Sequence, residues 1–349
     1  MKKHTGQNRA TTATWHPATQ AVRGGTMRSE HGETSEAIFL TSGYAYDNAE
    51  QAAARFRGEQ PGMTYSRLQN PTVAMREGRL CRLEGAEACR TMATGMAAMT
   101  AALLCQLSAG DHLVAGRALF GSCRWLVDHL LPRFGIQTTV VDGRDTQAWA
   151  KARQPNTKAF FLETPANPTL DIVDMRAVAD IGHDAGAIVV VDNAFASPIL
   201  QRPFEFGADV VAHSATKLMD GQGRVLGGAV LGNATFINDV LLPFTRNTGP
   251  TLSAFNAWVI LKSLETLDLR VRRAADGART GHSLGHFLGN GLDTLQRHRG
   301  AQRHLQHPDA TGHQRTRQGH SMLYFLKHDD GNHRGVKHDV EGGKGVCLV

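Results

Sequence analysis

Long apolar runs are missing from this chain. No stretch of about 18 uncharged apolar residues occurs anywhere in its 349 residues, so nothing in it reads as a membrane-spanning helix. Met1 to Ala10 lacks the apolar segment of a secretory signal, and the expected compartment is the cytoplasm. CxxC pairs are missing too. The five cysteines, Cys81, Cys89, Cys105, Cys123 and Cys347, are odd in number and widely spaced; they predict reduced, structural thiols and no metal site. The formal charge is +6, but the basic residues are scattered. Without a helix-turn-helix, zinc-finger or aromatic-plus-basic signature, nucleic acid is not an expected partner.

What the chain does have is the composition of a globular protein, 41% hydrophobic and 20% charged. Its length predicts one large domain with a smaller appendage, because a single core stops growing near this size. Met1 to Arg28 is polar and without periodicity, which predicts a mobile arm that packs on a partner subunit rather than on its own core. Ala-rich sequence toward Ala54 reads as helix. A loop over Gly62 to Thr72 follows, closed by the Asn70-Pro71 turn signal, and Val73 to Glu84 is again helical.

Beyond Gly85 the pattern alternates. His112 to Ala115, Ile136 to Val141, Lys158 to Leu162 and Ala187 to Val191 read as short buried strands; Ser122 to Phe134, Asp145 to Ala152 and Asp174 to Ala185 read as helices. The fold class this predicts is α/β, with a mostly parallel sheet covered on both faces. Ligands of such sheets gather at the carboxyl ends of the strands.

Those ends carry chemistry. Thr94-Gly95-Met96 opens an Ala/Leu helix, where Gly95 either admits an anion such as phosphate to backbone N–H groups or marks a close helix contact. Asp192 ends one strand, where it could meet a cation, cap a helix or bind magnesium. After the apolar run Ala208 to Ala212 comes His213-Ser214-Ala215-Thr216-Lys217, then Asp220-Gly221-Gln222-Gly223. A lysine set among small hydroxyl residues there is either a solvated charge or an amine that carries a carbonyl cofactor.

Tyr65-Ser66-Arg67, Thr94-Gly95-Met96, Glu163 to Pro168, Val191-Asp192-Asn193 and His213 to Lys217, in this order, resemble the Cys/Met-metabolism family of pyridoxal-phosphate enzymes. The likeness runs from about Ala21 to Arg272. It implies the aspartate-aminotransferase-like architecture known as fold type I and pyridoxal 5′-phosphate as cofactor. It also implies a role for each matching residue: Lys217 bonded to the cofactor and moving protons, Asp192 on the pyridine nitrogen, Ser214, Thr216, Gly95 and Met96 on the phosphate, and Asn167 near the 3′-oxygen. Tyr65 and Arg67 would reach the phosphate of a neighbouring subunit, making a dimer with shared sites, assembled to a tetramer. Phe120 would stack on the ring, and since it has no phenol, Lys217 or Tyr65 would supply protons.

Gly58 to Thr72, Asp220 to Gly223 and Gly249 to Trp258 are most similar to the sulfhydrylase branch. That implies γ-replacement, with O-succinylhomoserine and sulfide giving homocysteine and succinate. A cystathionine-forming or lyase activity, or a non-catalytic remnant that at most binds cofactor, stand as alternatives.

The implied division is a subunit-contact segment over 1–60, the cofactor domain over 61–258, the first helix of a C-terminal α+β domain over 259–273, and a disrupted remainder over 274–349. That remainder is rich in His, Gly, Arg and Gln, with His298, His304, His307, His313, His320, His328, His333 and His338 irregularly spaced. It lacks, in context, the arginine that relatives use for the substrate carboxylate. A metal-binding tract, a basic disordered tail touching nucleic acid and a change of reading frame near 273 to 280 are the competing accounts. An abrupt compositional shift without a linker is what a frame change leaves.

Overall fold

The computed structural model describes residues 15–279. The tail from 280 onward, its histidines, Cys347 and residues 1–14 lie outside that range.

Seven strands form one sheet: β1 (Ala88–Met92), β2 (His112–Gly116), β3 (Gln137–Val141), β4 (Thr157–Glu163), β5 (Ile188–Asp192), β6 (Val210–Ser214) and β7 (Gly228–Gly232). Their spatial order is β1-β7-β6-β5-β4-β2-β3. Neighbours from β6 across to β3 are parallel, and β7 alone runs against its two neighbours, β6 and β1. The expected mostly parallel sheet is therefore present, with one reversed strand. The four expected strands start and end within two residues of their apolar runs, and β6 lies two residues later than the apolar run Ala208 to Ala212. β1 and β7 have no counterpart among the expected strands: β1 is an edge strand whose apolar residues are interrupted by Arg90 and Thr91, and β7 is a short run bounded by glycines.

The strands are apolar on both sides because both sides are covered. On the front, α4 (Gly95–Leu104) and α5 (Gly121–Trp125) pack Met99, Leu103 and Cys123 against Phe161, Val190, Ala212 and Val230. On the back, α7 (Thr146–Lys151) and α8 (Met175–Asp184) bring Trp149 and Val178 onto Phe160, Leu162, Val191 and Val211. Beside them, α3 (Pro71–Glu84), α11 (Ala254–Leu264) and α12 (Leu267–Arg279) cover Ala215, Ala229 and Leu231.

Local chemistry sets the helix ends. Asn70 does not close a loop turn; its side chain caps α3, accepting from Thr72 and Val73 N–H, with Pro71 at the first helical position. The helix expected over Ser122 to Phe134 widens into a π-turn at Leu126–Leu130 before α6 (Leu131–Arg133), and a second π-turn at Phe236–Leu241 precedes α10 (Leu242–Thr248). Each is followed by a Leu-Pro pair, Leu131-Pro132 and Leu242-Pro243. A proline ring clashes with the carbonyl four residues back, and a wider turn relieves that clash.

The expected mobile arm needs correction over its described part. Pro17–Arg23 forms α1, whose Ala21 is fully buried in the core shared by α3 and α11. The segment is polar in sequence, but its buried Gln20 donates to Trp15 O, so polarity and burial coexist. The Ala-rich stretch forms α2 (Ala49–Phe56), capped by Asn48.

Candidate active site

The carboxyl ends of β4 and β5 are level, with Glu163 paired with Asp192, and β6 runs two residues past Ala212, the partner of Asp192, to Ser214. Side chains alternate along a strand. Phe161, Val190 and Ala212 point into the front core, so Glu163, Asp192 and Ser214, two residues further on, face the front as well. There they meet the start of α4.

That helix start is pressed onto the strand ends by two glycines. A Cβ on Gly95 would lie 2.5 Å from Ser214 Cβ, and one on Gly228 would lie 2.1 Å from Thr94 O. Thr94 caps the helix by accepting from Ala97 N–H at 3.0 Å, and Ala98 N–H bonds Thr94 O. The N–H groups of Gly95 and Met96 have no acceptor among the described residues. Two unspent donors at a helix N-terminus, beside the Ser214 hydroxyl, form a cradle for an anion. Of the two uses open to Gly95 in the sequence, close packing is present.

Asp192 is 5% exposed, accepts from Ala194 N–H at 2.9 Å, and has the Cys123 thiol 4.0 Å away. Burial pushes its pKa up to about 6, against the opposing pull of the Ala194 N–H and of His213. A carboxylate so placed is stabilised by a cation. Glu163 is equally buried; burial first, then the charge of Asp192, raise it well above the usual range. It accepts from Asn167 N–H at 2.8 Å and from Phe120 N–H, and so ties both loops to the strand end. In the sequence Glu163 ends a strand and opens one of the family-like motifs, with no role of its own. Only the pairing of β4 with β5 reveals that it gathers Phe120 and Asn167 beside Asp192.

The turn carrying Lys217 is held throughout. Thr216 Oγ1 accepts from Gly227 N–H at 3.2 Å, Lys217 N–H reaches Ser214 O at 3.4 Å, and Gly221 N–H donates to Lys217 O at 2.7 Å. Buried Asp220 takes the Arg224 backbone N–H at 2.7 Å and its guanidinium at 2.9 Å. From α12, Arg270 donates to Leu218 O at 2.8 Å. Lys217 is half-buried there.

Tyr65 and Arg67 stand elsewhere. Both are exposed; Arg67 lies 5.4 Å over the Tyr65 ring and donates to Arg246 O, while Tyr65 bridges to Gly43. Within the chain they do not join the cluster at Gly95, Asp192 and Ser214.

The model of the Cys/Met metabolism PLP-dependent enzymes matches residues 18–334. The chain belongs to this family. The match runs past Arg272, where the recognisable motifs end. O-succinylhomoserine sulfhydrylase of Mycobacterium tuberculosis is 51% identical over 262 residues, 75% of this chain and 64% of the relative. L-methionine gamma-lyase of Treponema denticola is 41% identical over 265 residues, 75% of this chain and 66% of the relative. A Campylobacter jejuni protein crystallised with N′-pyridoxyl-lysine-5′-monophosphate superposes with a TM-score of 0.74 at 30% identity, covering 76% of this chain and 74% of that one. The chain thus spans just under two thirds of the length of these curated relatives.

For a member of this PLP-dependent family the donor set is apt. Unspent N–H groups and a hydroxyl suit a phosphate, a buried carboxylate suits a ring nitrogen that carries a proton, and a lysine suits an aldehyde. Among the described residues no cluster of His, Cys, Asp and Glu could hold a metal ion, and no helix is long and apolar enough to cross a membrane.

Proposed function

We propose that the chain is a γ-replacing transferase that breaks the Cγ–O bond of O-succinylhomoserine and puts sulfide in place of the succinyloxy group, releasing succinate and homocysteine for methionine biosynthesis in the cytoplasm. The observation that carries this is the greater identity to the sulfhydrylase, 51% against 41% for the methionine gamma-lyase.

Pyridoxal 5′-phosphate, when bound, supplies an electron sink for negative charge developing at the substrate Cα. The Lys217 amine would hold it covalently and, once displaced by the substrate's amino group, carry protons between Cα and Cβ. Asp192 would keep a proton on the ring nitrogen. The N–H groups of Gly95 and Met96 and the hydroxyls of Ser214 and Thr216 would bind the phosphate; Phe120 would lie against the ring and Asn167 near its 3′-oxygen. Tyr65 and Arg67, exposed and apart from their own chain's cluster, would complete the site of a neighbouring subunit in a homo-oligomer. Tyr65 would share the acid–base work.

A lyase reading rests on the 41% identity to the methionine gamma-lyase. A remnant that binds cofactor without turnover rests on the tail, which lacks a recognisable arginine for the substrate carboxylate. Purified full chain with added cofactor is expected to show a visible absorption band that Lys217→Ala abolishes. With O-succinylhomoserine and sulfide it is expected to form homocysteine. A 2-oxo acid formed regardless of sulfide would make it a lyase, and a cofactor band without turnover would make it a remnant.

A further inference from the structure

Behind the strand ends lies a second set of polar groups. Thr164, Asn193 and His213 each follow or precede a front-facing residue by one, so alternation turns them to the back of the sheet. They are joined there by Glu84, the last residue of α3, and by Gln201, which follows the short helix α9 (Ser197–Leu200). All five are buried, none more than 4% exposed. Glu84 bridges two strands: Oε2 lies 2.7 Å from His213 Nε2 on β6, and Oε1 accepts from Asn193 Nδ2 at 3.0 Å just beyond β5. Gln201 carries the chain to β4, donating to Asn193 Oδ1 at 3.0 Å and to Thr164 O at 2.7 Å, while Asn193 donates back to Gln201 O at 3.0 Å.

No member of this network faces the front, yet its links fall beside the ends of three strands, each next to a residue that does. We propose that Glu84 and His213 are positioning residues that brace β4, β5 and β6 from behind and so fix Asp192 and the Ser214–Lys217 turn for the cofactor. The proposal rests on the assignment of those front residues to pyridoxal 5′-phosphate. A buried hydrogen-bonded carboxylate is costly to keep and costly to break, so it holds one geometry. A shift at the strand ends displaces the ring partner and the lysine together.

The test measures cofactor affinity and the visible circular dichroism of each bound cofactor in the full chain. Glu84→Ala, which leaves Asn193 and His213 unpaired, is expected to weaken cofactor binding about tenfold or more, the scale on which residues supporting a ligand shell act. Glu84→Gln, which keeps one acceptor, is expected to weaken it by about threefold, and both variants to reduce the dichroism per bound cofactor. His112→Gln, in a buried network at the opposite end of the sheet, serves as the control for plain destabilisation and is expected to leave both readouts unchanged. Where Glu84→Ala does not fold, Glu84→Gln and His213→Gln carry the test. Wild-type affinity and dichroism in those two, or losses no larger than in His112→Gln, would overturn the brace. A wild-type chain with no Lys217-dependent band would overturn the cofactor assignment itself, and the brace with it.

Discussion

The two ends of the sheet treat buried polar groups in opposite ways. At the amino end, His112 is fully buried and spends both ring nitrogens on hydroxyls, Thr157 Oγ1 at 2.8 Å and Thr139 Oγ1 at 2.9 Å. Burial lowers its pKa, which favours the neutral ring those partners suit. At the carboxyl end, Asp192 and Glu163 lie side by side with their pKa values raised by burial, and the Gly95 and Met96 N–H groups remain unspent. Groups that satisfy one another make scaffold. Buried charge facing uncommitted donors makes a site, because a ligand carrying both a cationic nitrogen and an anionic group satisfies both at once.

The comparison breaks most severely at Asp192. On the proposed function, Asp192→Asn removes the group assigned to the ring nitrogen, and turnover is expected to fall at least about a hundredfold, close to 3 kcal/mol of barrier. The same change should help the cofactor-free protein at high pH. Its carboxyl has a pKa raised from 3.8 to about 6, so the folded state holds the proton more tightly than the unfolded one. The stability this contributes is complete below about pH 4 and is lost as pH rises through 6, up to about 3 kcal/mol in all. Glu163, also raised, acts in the same direction. Melting of cofactor-free Asp192→Asn should therefore match wild type near pH 4 and exceed it at pH 8. Equal pH dependence in the two proteins would show that Asp192 does not carry this burden.

Gly95→Ala is expected to come next. The new Cβ would fall 2.5 Å from Ser214 Cβ, packed backbone against side chain, so α4 must retreat from the strand ends and take its N–H groups with it. Overpacking of this kind costs about 1–3 kcal/mol, and phosphate-dependent cofactor affinity should drop by about tenfold alongside it. Titration with pyridoxal 5′-phosphate, and with pyridoxal lacking the phosphate, separates the two effects. Equal losses for both ligands would exclude a phosphate cradle at Gly95.

Much of this was legible in the sequence, and the reasons are local. Val189, Val190 and Val191 announce a buried parallel strand, since only a strand covered on both faces is apolar at every position. Lys217, Asp192 and Gly95 each admit a plain structural reading alone and are singled out by the resemblance of their motifs, taken in order, to the family. Their rear counterparts are not, because Glu84 at the end of a helix reads as a solvated charge until the fold buries it. Glu163 is hidden for the same reason: its function lies in pairing with Asp192 across the sheet, a contact of residues 29 positions apart in the chain. β1 escapes recognition because Arg90 and Thr91 interrupt its short apolar run, and α1 because a buried glutamine looks like a surface one.

His112→Gln is expected to have the smallest effect. Glutamine can keep one of the two threonine partners, so the loss is roughly one hydrogen bond plus an imperfectly filled site, about 1–2 kcal/mol. Melting of the full chain should fall accordingly; the destabilisation above pH 6 that Asp192 and Glu163 impose should remain, while the destabilisation at acid pH that burial of a neutral His112 imposes should disappear. Cofactor affinity should stay at the wild-type value, since no hydrogen bond of the His112 cluster reaches β5 or β6. A loss of affinity comparable to that of Glu84→Gln would mean that the sheet transmits disturbance from one end to the other, and the division between scaffold end and site end would fail.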